Sequence, residues 1–510
     1  MKRPTKYDGR KRSAKALRVF TASAATWLTV AVVGGTLILA HHGAYDAPLT
    51  VGLSRGPYLQ LGTPTSVVVR WRTSVASDSV VRYGTEPGNL SLQANSQRAS
   101  IEHEVTVSGL TPNTRYYYSV GTSESVAAGG DPDYYFVTAP RAGNAVATRI
   151  WVLGDSGTAN SDAAAVRDAY YRLTGAELTN LWLMLGDNAY NFGADDEYQS
   201  AVFDMYPGML RKAVLWPTLG NHDAAGSPYP PASLPYFNIF SLPMNAEAGG
   251  IASGSENYYS FDYGAIHLIC LDSMASDRSP SGPMLTWLKS DLVSTARDWI
   301  IAFWHHPPYS RGSHNSDVEI ELAEMRQYAL PLLEAGGVDL VLTGHSHSYE
   351  RSYLIDGHYG PSFAFTASMK RNGGDGRLDG GGAYAKGGRA PHEGAVYAVA
   401  GSSGRTGGGA LNHPAMYISL NQLGSMILDI NDGRLDARFL TSDGVVRDYF
   451  TITKPVVPVG PANLSATPSS GRIDLAWTDG SGNEDGFILE RSIEGGVFSQ
   501  IASVGPNVVS

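Results

Sequence analysis

Five times between residues 149 and 347 an apolar run ends in a residue that can hold a metal ion. The stretches are Gly154-Asp155-Ser156-Gly157, Gly186-Asp187-Asn188-Ala189-Tyr190, Gly220-Asn221-His222-Asp223, His305-His306-Pro307-Pro308-Tyr309 and Gly344-His345-Ser346-His347. The runs before them, Arg149 to Leu153, Leu181 to Leu185, Val214 to Leu219, Trp299 to Trp304 and Val338 to Thr343, read as buried strands. Each strand therefore delivers a carboxylate, amide, phenol or imidazole just past its carboxyl end, where open α/β sheets place their ligands. One such turn is as readily an ordinary loop; the series points to metal chemistry.

Helical spacing separates these strands. It predicts helices over Asp162 to Leu173 with Ser161 as N-cap, Asp195 to Arg211, Met284 to Ser294, and near Val318 to Glu334. Further strands are expected at Ala395 to Val399 and Met426 to Ile430. Residues 148–453 thus read as an α/β block with central β-sheets flanked by helices. Glycine is dense from Gly357 to Ala410 and predicts mobile loops that either border the site or decorate the surface.

The flanks differ. Residues 50–140 read as all-β, with runs at Ser66 to Arg72, Ser79 to Tyr83 and Thr114 to Val120. Trp71 and the stretch Leu110 to Tyr116 resemble the buried tryptophan and tyrosine corner of fibronectin type III sandwiches. After a Pro/Val-rich linker, residues 460–510 read as the front half of a second such sandwich, expected to pack poorly.

The first 18 residues carry eight Lys or Arg against one acid, and Phe20 to Ala40 carry no charge. This is the pattern of an export signal or a membrane anchor over residues 1–42, so the bulk of the chain is expected to be secreted, periplasmic or on the cell surface. A membrane partner is expected only if that segment is uncleaved. Without the basic start, 30 basic and 47 acidic side chains remain, a surface that argues against nucleic-acid binding. The single cysteine, Cys270, lies in an apolar run and excludes an intramolecular disulfide framework.

The ordered set of motifs across residues 148–453 resembles the calcineurin-like metallophosphoesterases, and the tyrosine narrows the resemblance to the purple acid phosphatase branch. That resemblance implies two metal ions: Asp155, Asp187, Tyr190 and His347 on one, and Asp187, Asn221, His305 and His345 on the other. A phenolate suits ferric iron, and an amide with two imidazoles suits divalent zinc, iron or manganese. It further implies hydrolysis of a small phosphate monoester by metal-bound hydroxide. His222 and His314 are then candidate general acids and His306 a weaker, substrate-binding third. Asp223 stands where that family usually has glutamate and is expected to orient His222. Glu350 and Arg351 are expected to brace the last histidine loop as an ion pair. His41, His42, His358, His392 and His413 are assigned loop or surface roles. Two other functions stay open: a phosphodiesterase acting on nucleotides or lipid headgroups, and a non-catalytic surface protein. Oligomeric state has no signal in the sequence.

Overall fold

The computed structural model describes residues 52–225, 234–456, 460–479, 484–493 and 495–510. The expected signal or anchor, with His41 and His42, lies outside them. Among the described residues no helix is long and apolar enough to cross a membrane.

Residues 53–137 form six antiparallel strands in one hydrogen-bonded network. Its axis is the long strand Ser66–Gly84, which pairs with Leu53–Gln60, Leu92–Ser108 and Arg115–Gly121. The register breaks between Arg72 and Ser79, so one strand serves two differently oriented faces. Val67, Val69 and Trp71 are buried with Val105, Val107 and Tyr118. The Tyr116 hydroxyl accepts the Thr111 N–H at 3.0 Å and ties the corner.

The α/β block is two stacked seven-stranded sheets. At one end of the first, Thr148–Leu153, Leu181–Met184 and Val214–Pro217 run parallel, with Val214–Pro217 on the edge. At the heart of the second, Ile266–Cys270, Trp299–Trp304, Leu340–Thr343 and Val396–Ala400 run parallel. All five motif strands belong to these parallel cores. Antiparallel strands complete the sheets, among them the pair Arg434–Thr441 and Val446–Thr453 inside the first, which periodicity does not predict.

Strand alternation divides the core. Leu268, Cys270, Ile301, Phe303, Leu340 and Leu342 face the other sheet, in one cluster with Ile150, Val152 and Met426. Their sequence neighbours Ile269, Ile300, Ala302, Trp304 and Val341 pack against helix residues Leu285, Leu288, Met325 and Leu333. Near-continuous apolar runs are what strands covered on both faces require.

Two of the four expected helices are broken into shorter pieces. Ser161–Thr174 is capped by Asn160, not Ser161: the Asn160 amide oxygen accepts the Asp162 and Ala163 N–H groups. The expected helix over Asp195 to Arg211 splits into Asp195–Tyr198, a π-turn at Gln199–Phe203 and Pro207–Leu210. Pro207 lacks the amide that would continue the earlier turn. The later helix runs Ile320–Glu324, then a π-turn at Met325–Ala329, then Leu330–Ala335, where Pro331 removes another amide.

Glu350 and Arg351 do not pair. They are neighbours on the strand Tyr349–Ser352 and point to opposite faces. Arg351 donates to both oxygens of buried Asp448, at 2.6 and 2.9 Å, and so ties one sheet to the other. Glu350 accepts from Ser310 and Ser348 instead.

His358 and His413 are not on the surface. Both are buried beside Tyr309, with ring centroids 5.2 and 5.5 Å from it, and burial pushes them down to about 4 and about 3 respectively. In the unfolded chain such histidines take up a proton near their ordinary value, 6.5. Their contribution is therefore present above pH 6.5 and is lost as pH falls through that value toward 4. His358→Phe should flatten the loss of stability between pH 6.5 and 4, measured by denaturant melts across that range. Parallel profiles for variant and wild type would contradict this.

Candidate metal centre

The carboxyl ends of the two parallel cores meet at one place, and backbone geometry shows how tightly. Asp155, Asp187 and His345 all occupy the left-handed region, at φ 57°, 51° and 64°, which non-glycine residues rarely adopt. Their glycine neighbours let the loops touch. A Cβ on Gly344 would lie 2.5 Å from an Asp155 carboxylate oxygen, and one on Gly220 would lie 2.1 Å from the Asp187 amide nitrogen. The recurring Gly before a polar residue is thus a packing requirement of one loop against another.

The side chains form two touching groups. In the first, the Tyr190 hydroxyl is 3.2 Å from Asp155 Oδ1 and 3.3 Å from His347 Nε2, and His347 Nε2 is 3.5 Å from Asp155 Oδ1. In the second, Asn221 Oδ1 is 3.0 Å from His305 Nε2 and 3.0 Å from His345 Nδ1, and His305 Nε2 is 3.4 Å from Asp187 Oδ1. The seven residues expected as ligands therefore converge.

The hydrogen bonds on the far sides of the rings decide what these contacts mean. His305 Nδ1 donates to the Leu185 carbonyl at 2.8 Å, which leaves a lone pair on Nε2 in the neutral ring. His345 donates Nε2–H to Glu319 at 3.2 Å, which leaves a lone pair on Nδ1. Both lone pairs face the acceptor oxygen of Asn221. With the Asn221 oxygen turned to both rings, acceptors face acceptors, and a cation between them satisfies all three. Donors about 2.0–2.2 Å from one ion stand about 3–3.5 Å apart, the spacing observed here. Burial penalises the charges of these groups. Burial, with Asp187 adding to it, pushes Asp155 up to about 7, and burial beside two carboxylates holds the Tyr190 phenol well above its ordinary value. Burial pushes His345 and His347 down to about 4.

Residues 148–349 match the calcineurin-like phosphoesterase family and residues 55–138 the purple acid phosphatase N-terminal domain. The chain carries a calcineurin-like phosphoesterase domain behind a purple acid phosphatase N-terminal domain. It is 29% identical over 318 residues to purple acid phosphatase 18 of Arabidopsis thaliana, covering 59% of this chain and 66% of that one. It is 29% identical over 327 residues to human (Homo sapiens) acid phosphatase type 7, covering 58% and 69%. The chain thus spans about two thirds of these relatives. Its fold matches that of a purple acid phosphatase isolated from yellow lupin (Lupinus luteus) seeds with a TM-score of 0.59 at 18% identity, over 78% of this chain and 75% of that one.

Within this phosphoesterase framework two expected roles change. Asp223 turns away from His222 and accepts from Asn188 N and Nδ2, Gly220 N and the Tyr198 hydroxyl, at 2.6–3.3 Å. The His222 ring is oriented instead by the Asn191 carbonyl, 2.9 Å from Nδ1. His306, expected on the substrate side, is only 3% exposed and rests beneath His345 with its Nδ1 2.9 Å from Ser273 Oγ. Of the two alternatives for the glycine-rich region, its end borders the site: Gly407 N–H donates to the His347 carbonyl at 2.9 Å. Sequence reasoning missed Glu319, which lies between His345 Nε2 and His314 Nδ1 at 3.2 and 2.9 Å. Its only sequence signal is a carboxylate five residues after His314.

Asp223→Ala should cost at least about 3 kcal/mol, since several buried donors lose their acceptor together. Chemical denaturation measures it, and a loss under 1 kcal/mol would contradict the assignment of Asp223 as the clasp between these loops.

Proposed function

We propose that this chain is an exported phosphomonoesterase with a dinuclear metal centre. The observation that carries this reading is the pair of imidazole lone pairs aimed at the Asn221 oxygen, beside buried Asp155 and Asp187. Asp155, Asp187, Tyr190 and His347 would hold one ion, and Asp187, Asn221, His305 and His345 the other, with Asp187 shared. The phenolate favours ferric iron at the first position, and the amide and imidazoles favour zinc, iron or manganese at the second. When bound, two such ions supply Lewis-acid charge and an activated water for in-line phosphoryl displacement. Export rests on the basic and apolar start of the sequence.

His222 and His314 complete the chemistry. Each is anchored through Nδ1, on the Asn191 carbonyl and on Glu319 respectively, and each side chain remains about a third exposed. His222 Nε2 then lies 4.0 Å from Asp187 Oδ2, and each ring, when protonated, can donate its Nε2–H to a phosphate oxygen and return that proton to the leaving alkoxide. Glu319 ties the His314 ring to His345, whose centroid is 3.7 Å away, so a proton donor and a metal-facing imidazole share one support.

Hydrolysis of an aryl phosphomonoester beside the matching diester, by the metal-loaded chain from acidic to neutral pH, tests the reading. A strong monoester preference is expected. A diester preference would move the substrate to nucleotides or lipid headgroups, and no turnover of either ester with both ions bound would favour the surface-protein alternative. Phenolate-to-ferric charge transfer should also colour the protein, and Tyr190→Phe should bleach it. A colourless, iron-free and fully active wild type would overturn the ferric assignment.

A further inference from the structure

Arg405 lies in the segment Gly404–Gly409, directly after the strand Val396–Ala400 and its short extension. The segment is pinned to the loops of the candidate site at several points. The Gly404 carbonyl accepts from Thr158 Oγ1 at 3.3 Å and Asn160 Nδ2 at 3.2 Å. Gly407 donates to the His347 carbonyl, and a Cβ on Gly409 would collide with the Gly312 carbonyl at 1.8 Å. This clamped backbone holds the Arg405 guanidinium carbon 4.6 Å from the centroid of the Tyr190 ring.

Arg405 differs from the arginines that brace the fold through ion pairs. Arg55, Arg72, Arg351 and Arg377 each donate to a carboxylate. Among the described residues no carboxylate pairs with Arg405, and its Nε is buried with no hydrogen-bond partner. A half-buried guanidinium without an anion is costly unless a ligand supplies one. Stacking on an aromatic face keeps the planar fork presented, and that fork matches two oxygens of a phosphate.

We propose that Arg405 is a substrate-binding residue that reads the second negative charge of a terminal phosphate and so selects monoester dianions over diesters. This rests on the phosphate-ester reading above and gives it a specificity element. A monoester offers non-bridging oxygens and two charges to the metal side and the fork together. A diester carries a single charge, and its second ester group competes for the space the fork occupies.

The test compares Arg405→Met, Arg405→Lys and wild type, all metal-loaded, with the aryl monoester and the matching diester, alongside orthophosphate binding by calorimetry. Arg405→Met should lower monoester kcat/KM by about 10- to 100-fold, the range of a charge-assisted hydrogen bond, and change the diester by less than about threefold. Orthophosphate affinity should fall by a similar factor, and Arg405→Lys should recover part of both losses. Arg405→Met keeps an aliphatic stem against the Tyr190 ring and breaks no ion pair among the described residues, so the variants should melt with wild type. An unchanged ester ratio with unchanged orthophosphate affinity would overturn the proposal. If wild type turns over neither ester, the functional reading fails by itself. Arg405 is then judged on orthophosphate alone, and equal affinity in Arg405→Met and wild type refutes it.

Discussion

His305 gives its Nδ1 proton to the Leu185 carbonyl at 2.8 Å, and the rest of the site depends on what that leaves behind. The opposite nitrogen keeps a lone pair aimed at the oxygens of Asn221 and Asp187. Glu319 does the same to His345 from the other side. Each far-side hydrogen bond fixes a tautomer, and together they gather acceptors around one point, the arrangement that outer partners of metal-binding imidazoles produce. The cost is visible in the backbone, where Asp155, Asp187 and His345 are all left-handed. Two covered parallel cores over-determine those conformations, so the strain is held by the sheets and not by the loops alone.

The support extends beyond the α/β block. The loop after Tyr190 has its N–H groups at Asn191, Phe192 and Ala194 gathered by the Glu197 carboxylate. Two residues before Glu197, Asp195 takes both arms of Arg72 and one of Arg55. Both arginines come from the N-terminal strands Ser66–Gly84 and Leu53–Gln60. The all-β region thus grips the segment that carries Tyr190 and Asn191, one facing Asp155 and the other orienting His222. A region without polar convergence of its own bears on the site through a carboxylate clasp.

Much of this was legible in the sequence, and the reason is physical. Strands covered on both faces must be apolar throughout, so Ile150, Leu183 and Phe303 announce themselves, and the glycines mark where loops touch. Spacing and strand order place polar residues at the strand ends, and the resemblance to the metallophosphoesterases singles out Asp155, Asp187, Tyr190, Asn221, His305, His345 and His347 among them. The remainder depends on contacts between distant segments. Nothing local to Asp223 says that it will choose Asn188 and Tyr198 over its neighbour His222. Glu319 and Arg405 have no motif, only a place in space. The strands Arg434–Thr441 and Val446–Thr453 carry too many polar residues to stand out, yet Asp448 among them neutralises the buried Arg351. Buried His358 and His413 look like loop residues because the aromatic pocket around Tyr309 is assembled from three separate segments.

The central claim is that two cations sit among these seven side chains. Anomalous X-ray diffraction from crystals of the metal-loaded protein, recorded at the iron and zinc edges, tests it most directly. The account predicts two peaks about 3.5–4 Å apart, with the Asp187 carboxylate between them and Tyr190 on one alone. A single peak, or metal bound only elsewhere, such as at Glu334, Asp356 and His392, would contradict it.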